Sequence, residues 1–229
     1  MAPNPETTKQ RLIAAAETLF AERGIEGVSL REINAAASQK NSTALQYHFR
    51  NRHGLLIAVL GKHHGDVEAR RNEMLDLYEA RGLDDLRALA AALVRPSATK
   101  LADPNGGRPY LRIHSQCINR PDWPFATERD QRAPDPNDSI ERWRQLVGPL
   151  LPDVAVRRLH HRFTAMRVSA TELARRAASA PRRDDQLFTS HLLDLVTALL
   201  AAPVSSQTSQ LLRERARPEP AGSSTTSTA

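Results

Sequence analysis

VSLREINAAASQKNSTALQYHF, the sequence from Val28 to Phe49, predicts two short helices joined by a polar turn. Ser29 and Glu32 are three residues apart, which is the spacing of a capping box at the start of the first helix. Residues 38–40 cannot continue the apolar face of this helix and are predicted to form the turn. Asn41 then suits the N-cap of the second helix. The apolar face of the first helix has four members: Leu30, Ile33, Ala36 and Ala37.

The second short helix has a face that is unusual for a protein surface. Leu45 and Phe49 are spaced i, i+4 and are predicted to pack inward. An ordinary surface helix carries Glu and Lys on its outer face, whereas this one carries short hydrogen-bonding side chains. Such groups suit the donor and acceptor pattern of the DNA major groove. On pattern alone, a helical hairpin inside an all-α core remains the alternative. The side chains concerned are Ser42, Thr43, Gln46, Tyr47 and His48.

A wider pattern surrounds these helices between residues 9 and 60. Its members are Arg11, Ala15, Ala16, Leu19, Phe20, Gly24, Ser29, Leu30, Ile33, Ala37, Leu45, His48, Phe49 and Leu55. In these residues, and in the order of its elements, the chain resembles the DNA-binding domain of TetR-family transcriptional regulators. The resemblance implies an all-α fold: an N-terminal three-helix domain with a helix-turn-helix, followed by a larger helical ligand-binding and dimerisation domain.

The chain departs from the family pattern at the turn and in the second helix. Ser38 follows Ala37, where the family usually has Ala-Gly, and the turn is one residue longer than usual. Gln46 stands where the family often has Tyr. These differences leave the preferred DNA sequence open but do not change the expected fold.

Composition limits the class of protein. The chain has 229 residues, a formal net charge of +6, a pI of about 10.1 and one cysteine, Cys117. A single cysteine excludes an intrachain disulfide and fits a reducing cytoplasm. No apolar run is long enough to span a bilayer, and no signal peptide is evident, so we expect a cytoplasmic protein without a membrane partner. The positive charge favours contact with a polyanion.

The sequence divides into three predicted regions: a helix-turn-helix DNA-binding domain at 7–51, a helical regulatory and dimerisation domain at 52–202, and a disordered tail at 203–229 that is rich in Ser, Thr and Pro. The arm before Thr7 is expected to be loose. Gly24 is expected to end the first helix, and Asn51 can cap the long helix that starts near Arg52. Pro96 is expected to kink or end its helix. Residues 119–137 contain four prolines and are predicted to form a long irregular loop.

Two helices near the C-terminal end are candidates for assembly. The first, predicted at about 152–180, repeats apolar residues at spacings of three and four, from Val156 to Ala177. The second, at about 184–202, is predicted to place Phe188, Leu192, Leu195 and Leu199 on one side. By resemblance, these helices would form the four-helix bundle of a homodimer. The alternative is that both pack only within their own chain.

The resemblance implies a partly palindromic double-stranded DNA operator and an unidentified small-molecule effector. Ser42, Thr43, Gln46 and Tyr47 are the candidates for reading base edges. Contacts to phosphate, or support for the turn that makes them, are expected from Ser29, Arg31, Lys40, Asn41, His48 and Arg50, although Arg31 could equally be a solvated charge. The candidates for lining an effector pocket, each of which could instead be a core residue, are His114, Cys117, Trp143 and Phe163.

Other classes of protein have less support in the sequence. There is no phosphate-binding glycine loop, nucleophile elbow or CxxC motif, so neither an enzyme nor a cofactor is expected. His114 and Cys117 are spaced i, i+3 but have no obvious further ligands, so no metal site is expected. The alternative is a helical dimer that binds a small molecule, or an enzyme, without DNA binding.

Overall fold

The computed structural model describes residues 5–39, 43–82, 84–120, 138–151 and 161–215, apart from the side chains of residues 5, 6, 43 and 44. Several predictions made from the sequence lie outside these residues. They concern most of the N-terminal arm, the turn residues Lys40, Asn41 and Ser42, most of the proline-rich loop, the start of the helix at 152 and the last part of the tail.

All regular secondary structure in the described ranges is helical, which confirms the all-α prediction. A 3-10 helix (Thr99–Leu101) follows the fifth α-helix. The α-helices are α1 (Pro5–Arg23), α2 (Leu30–Ala36), α3 (Thr43–Phe49), α4 (Arg52–Ala80), α5 (Leu86–Ala98), α6 (Gly107–Ile118), α7 (Ser139–Val147), α8 (His161–Ala177), α9 (Asp185–Leu200) and α10 (Ser206–Arg215).

The predicted start and stop signals of the N-terminal helices are confirmed. Gly24 follows the last residue of α1 with a φ of 85°, a left-handed conformation that favours glycine. Ser29 and Glu32 form the reciprocal capping box at the start of α2. Asn51 caps α4 by accepting a hydrogen bond from the Gly54 amide at 2.9 Å. These local contacts fix where each helix begins and therefore how the short helices turn.

Pro96 lies inside α5, and the helix continues for two further residues before it tightens into the 3-10 turn. A proline cannot donate to the carbonyl four residues earlier, so the oxygen of Ala92 is left without its helical partner. The guanidinium of Arg71, on α4, donates to that oxygen at 3.2 Å. The helix therefore ends two residues after the proline and not at it, because Arg71 of α4 supplies the hydrogen bond that the proline cannot make.

Two hydrophobic clusters organise the chain. The N-terminal cluster joins α1, α2, α3 and the start of α4, and it also takes in Ile113 and Cys117 from α6. The larger cluster joins the rest of α4 with α5 to α9, and Trp143 is its largest fully buried side chain. The N-terminal cluster thus extends past residue 51 and includes part of α6, so the two clusters share helices α4 and α6.

Helix α9 has a buried side and a second, outward apolar side. Leu192, Leu193, Val196 and Leu200 are buried, whereas Leu195 is 47% exposed. Because α9 is apolar around most of its circumference, the predicted common side of Phe188, Leu192, Leu195 and Leu199 does not identify which leucines face the core.

The tail is not wholly irregular, and the prediction of disorder is wrong for residues 206–215, which form α10. Ser205 accepts a hydrogen bond from the Thr208 amide at 3.2 Å and so caps the helix. Gln210 donates to Glu214 one turn later. The overall Ser, Thr and Pro content concealed this short stretch of good helix formers.

No helix in the described ranges is both long and apolar enough to cross a membrane.

Candidate nucleic-acid interface

Helix α3 packs one side against the N-terminal cluster and turns the other to solvent. Leu45 and Phe49 are buried, as their spacing predicts. Gln46 is exposed, and Tyr47 is 82% exposed, the highest value among the exposed large hydrophobic side chains. His48 is half-buried, and its ring meets the ring of Tyr47 edge-on at 5.1 Å. The outer side of α3 therefore offers an amide and a phenol to a partner.

The end of α3 is held close to the start of α4. A Cβ atom added to Gly54 would lie 2.1 Å from the backbone oxygen of Phe49, so only glycine allows this approach. Arg50, between the two helices, has a φ of 62°, which is rare for a residue with a side chain. The tight connection fixes the direction of α3 relative to the long helix that follows.

The start of α2 carries a carboxylate. Ser29 donates both its amide and its hydroxyl to Glu32, at 2.8 and 2.7 Å, and Arg23 pairs with the same side chain at 2.7 Å. The hydrogen bond from the Ser29 amide is the largest of the effects that lower the pKa of Glu32 to about 2. Since Glu32 occupies the polar groups of Ser29, that residue is a weaker phosphate ligand than the sequence predicts.

The arginines near the two short helices differ in their partners. Arg31 and Arg50 are exposed, and within the described part of the chain no acidic side chain pairs with either. Arg52 instead donates to the carbonyl oxygen of Ile25 at 2.5 Å and ties α4 to the loop before α2. Arg31 and Arg50 are thus available to an external anion, whereas Arg52 has a structural contact.

Not every predicted DNA-contact residue can be placed. Lys40, Asn41 and Ser42 lie outside the described residues. Thr43 is the first residue of α3, and its side chain also lies outside the description. The part of the candidate interface that the structure supports is therefore the outer side of α3 with the exposed arginines.

The structure does not bring the four candidate pocket residues together. Trp143 is fully buried and donates from Nε1 to the Leu89 carbonyl at 2.7 Å, which marks it as a core residue. Phe163 is 39% exposed and lies under the guanidinium of Arg144 at 5.1 Å. Cys117 belongs to the N-terminal cluster, and burial raises the pKa of its thiol to about 12.

His114 is the candidate whose surroundings suit a binding role. Its ring stacks on that of Tyr110 at 5.5 Å, near the charges of His64 and Arg71. Burial, with smaller repulsion from those two residues, lowers its pKa to about 4, so the ring is neutral at physiological pH. A neutral imidazole inside the helical body can both donate and accept a hydrogen bond.

The described residues contain no group of three or more His, Cys, Asp or Glu side chains that could hold a metal ion.

Sequence reasoning missed a cluster of buried charges between α1, α4 and the turn before α6. Glu17 is 5% exposed and His63 is 2% exposed, and they are 2.8 Å apart. A signal was present, because Glu17 lies four residues after Ile13 and three before Phe20, inside the apolar stripe of α1. A charged residue within such a stripe predicts a buried partner.

Comparison with known proteins adds a family and two structural neighbours. Residues 12–59 match the family model described as "Bacterial regulatory proteins, tetR family". No curated protein sequence matches the chain significantly.

The structural neighbours share the fold at low sequence identity. The structure resembles that of a transcriptional regulator from Rhodococcus sp. Rha1, with a TM-score of 0.53, 22% identity, and coverage of 86% of this chain and 99% of that one. It also resembles native NalD, the secondary repressor of the MexAB-OprM multidrug efflux pump in Pseudomonas aeruginosa, with a TM-score of 0.52, 20% identity, and coverage of 88% and 100%.

Proposed function

We propose, from an N-terminal domain that belongs to the tetR family of bacterial regulatory proteins, that this protein is a ligand-responsive repressor of transcription. It binds a partly palindromic DNA operator as a homodimer, in the cytoplasm. The observation that carries the proposal is the geometry of α3, a short helix anchored by two buried side chains that presents Tyr47 at 82% exposure. A helix so anchored can enter the major groove without disturbing the core behind it.

We assign the outer side chains of α3 to contacts with the DNA bases, and the nearby arginines to contacts with the DNA phosphates. The side-chain amide of Gln46 can donate to N7 of an adenine and accept from its N6 amino group, and the Tyr47 ring can contact a thymine methyl group. Arg31 and Arg50 neutralise phosphates, which gives affinity without sequence information. Lys40, Asn41, Ser42, Thr43 and His48 complete the proposed contact set.

The test begins with selection of genomic fragments by the purified protein, followed by footprinting of the selected site. Tyr47→Ala should then weaken specific binding by at least about fivefold, since a base contact is worth roughly 1–3 kcal/mol. Leu77→Ala is the matched control, because Leu77 is also an exposed large side chain (55%) but lies on α4. An unchanged footprint for Tyr47→Ala would refute the assignment of α3 as the recognition helix.

The homodimer is supported by the outward side of α9. Leu187 is 70% exposed and Leu195 is 47% exposed, two helical turns apart on the same side. An exposed apolar strip of this kind is typical of a surface that a partner covers, and we assign it to the second copy. Helix α8 completes the four-helix bundle.

Charge introduced on α9 tests the dimer. The double variant Leu187→Glu, Leu195→Glu should sediment as a monomer and lose binding to the palindromic site. Leu211→Glu, on the exposed helix α10, should leave the dimer intact although that leucine is 58% exposed. A double variant that remains dimeric would exclude this interface.

The effector binds within the helical body and changes the separation of the two DNA-binding domains. A ligand that prefers a spacing unsuited to the operator shifts the population toward that spacing and releases the DNA. His114 is the side chain we assign to effector contact, because it is a neutral hydrogen-bonding group inside the body.

A further inference from the structure

The cluster of buried charges links the N-terminal domain to the body. Glu17, on α1, accepts hydrogen bonds from Lys62 Nζ and His63 Nε2 of α4, both at 2.8 Å. The other ring nitrogen of His63 lies 3.5 Å from Asp103, in the turn before α6. His63 therefore bridges an acid of the DNA-binding domain and an acid of the body.

The cluster continues through the body. Lys100 donates to Asp103 at 3.1 Å and to Asp66 at 2.8 Å. Arg70 also donates to Asp66, at 3.0 Å. Of these residues Glu17, His63 and Lys100 are buried, and removal of a buried member would leave its charged partner uncompensated.

The backbone of the body also lies directly against this cluster. Gly106 has a φ of 88°, and a Cβ atom added there would lie 2.2 Å from Oε2 of Glu17. The φ angle favours glycine, and a residue with a side chain would also displace the Glu17 carboxylate from this turn.

A second attachment lies at the C-terminal end of α1. Gln116, on α6, accepts a hydrogen bond from the Ile25 amide at 3.0 Å and donates to the Phe20 carbonyl at 3.3 Å. These contacts hold the C-terminal end of α1, whereas Glu17 holds its middle. Phe20 lies three residues after Glu17, and Ile25 lies beyond the last residue of α1, Arg23, so the second point is about one turn further along the helix. Attachment at two points prevents the rotation that a single point would allow.

We propose that Glu17 and Gln116 are positioning residues that fix the angle of the DNA-binding domain on the body, and thereby set the half-site spacing that the dimer accepts. The inference rests on the proposed function. Helix α1 packs against both α2 and α3, so a rotation of α1 carries Tyr47 with it. A dimer whose DNA-binding domains are free to rotate on the body would bind several half-site spacings with similar affinity, whereas the wild type would bind one spacing best.

The experiment measures affinity for duplexes that carry the selected half-sites at the native spacing and with one or two base pairs inserted between them. Glu17→Gln removes the negative charge that pairs with Lys62, and Gln116→Met removes both hydrogen bonds to the end of α1, while each keeps the approximate shape of the side chain. Each should reduce the preference for the native spacing by about tenfold, a usual size for coupling between sites. Glu22→Gln, an exposed change on the same helix, should retain the wild-type preference.

A uniform loss of affinity at every spacing, or an unchanged profile, would overturn the inference, because a purely structural role predicts one of those results. If Glu17→Gln does not fold, Lys62→Gln removes the same ion pair from the α4 side, and this variant must then show the weakened preference for the native half-site spacing.

A measurement without DNA separates failure of the inference from failure of the regulator function. Spin labels on Gln10→Cys, an exposed position of α1, report the distance between the two DNA-binding domains of the dimer. Cys117 is buried and does not compete for the label. The distance distribution should broaden in Glu17→Gln and in Gln116→Met but not in Glu22→Gln. An equally narrow distribution in all variants would overturn the inference even if DNA binding is confirmed.

Discussion

Replacing His114 with phenylalanine should make the free energy of unfolding less sensitive to acid. In the folded protein, burial and the nearby charges of His64 and Arg71 lower the pKa of His114 from 6.5 to about 4. The ring stacks on Tyr110 with centroids 5.5 Å apart, and phenylalanine can keep that contact. The substitution therefore removes the titrating group while it preserves most of the packing.

The direction of the effect follows from proton uptake. Above pH 6.5 the ring is neutral in both the folded and the unfolded state, so it contributes no pH dependence. Between pH 6.5 and about 4 the unfolded chain binds a proton that the folded protein does not, and stability falls as the pH falls. At about 1.4 kcal/mol per pH unit, this interval amounts to about 3 kcal/mol.

Urea unfolding followed by circular dichroism at about pH 7 and about pH 4 measures this contribution. One protein concentration must be used throughout, because a dimer is stabilised by mass action. Between the two pH values, wild type should lose about 3 kcal/mol more than His114→Phe. His48→Phe, a change at a half-buried histidine of α3, should not reproduce this difference. If wild type and His114→Phe lose the same stability between the two pH values, the conclusion that burial keeps the His114 ring neutral is wrong.

Four further substitutions test the packing and the turns by the same unfolding measurement. Gly54→Ala should destabilise by about 2 kcal/mol, since its Cβ would meet a backbone oxygen of α3 at 2.1 Å, whereas Gly61→Ala, with nothing within 4 Å, should stabilise by about 0.5 kcal/mol; the opposite order would contradict the close approach. Ser38→Gly should stabilise by up to about 1 kcal/mol because φ is 55°; a loss would show that the side chain is needed. Trp143→Phe should cost roughly 1–3 kcal/mol, because it removes the hydrogen bond from the indole to the Leu89 carbonyl and leaves space in the core; an unchanged midpoint would contradict that.

The features predicted correctly are those that neighbouring residues determine. The capping box at Ser29, the stop at Gly24 and the cap at Asn51 each involve groups within a few residues of one another. The inward side of α3 follows from the i, i+4 spacing of Leu45 and Phe49. Local hydrogen bonds and helical periodicity are present in the sequence itself, so these elements need no tertiary information.

The features that were missed depend on residues far apart in the chain. Glu17 is 86 residues before Asp103 in the sequence, and only the folded arrangement of α1, α4 and the turn before α6 joins them through His63. The inner side of α9 is likewise chosen by the helices it packs against, because its own leucines would permit more than one orientation. Residue type alone also misled the choice of pocket residues, since the Trp143 indole is already satisfied by a core carbonyl.

Ser38 shows how a departure from a family pattern can be kept within the same fold. Its φ of 55° is the left-handed conformation that glycine adopts without cost, and the family usually has glycine there. At Ser38 the backbone therefore has the conformation that glycine favours, and the serine carries the strain.

Helix α6 gives a physical route from the proposed effector site to the DNA-binding domain. His114 and Gln116 are two residues apart, so their side chains leave the helix in directions about 200° apart. His114 stacks on Tyr110 inside the body, whereas Gln116 holds the end of α1 through Phe20 and Ile25. An effector that displaces α6 at His114 must therefore also displace Gln116, because both belong to one rigid helix. Effector binding would therefore strain the contacts of Gln116 with α1 first. The Gln116→Met variant should still bind the effector, but effector binding should no longer change its affinity for the operator.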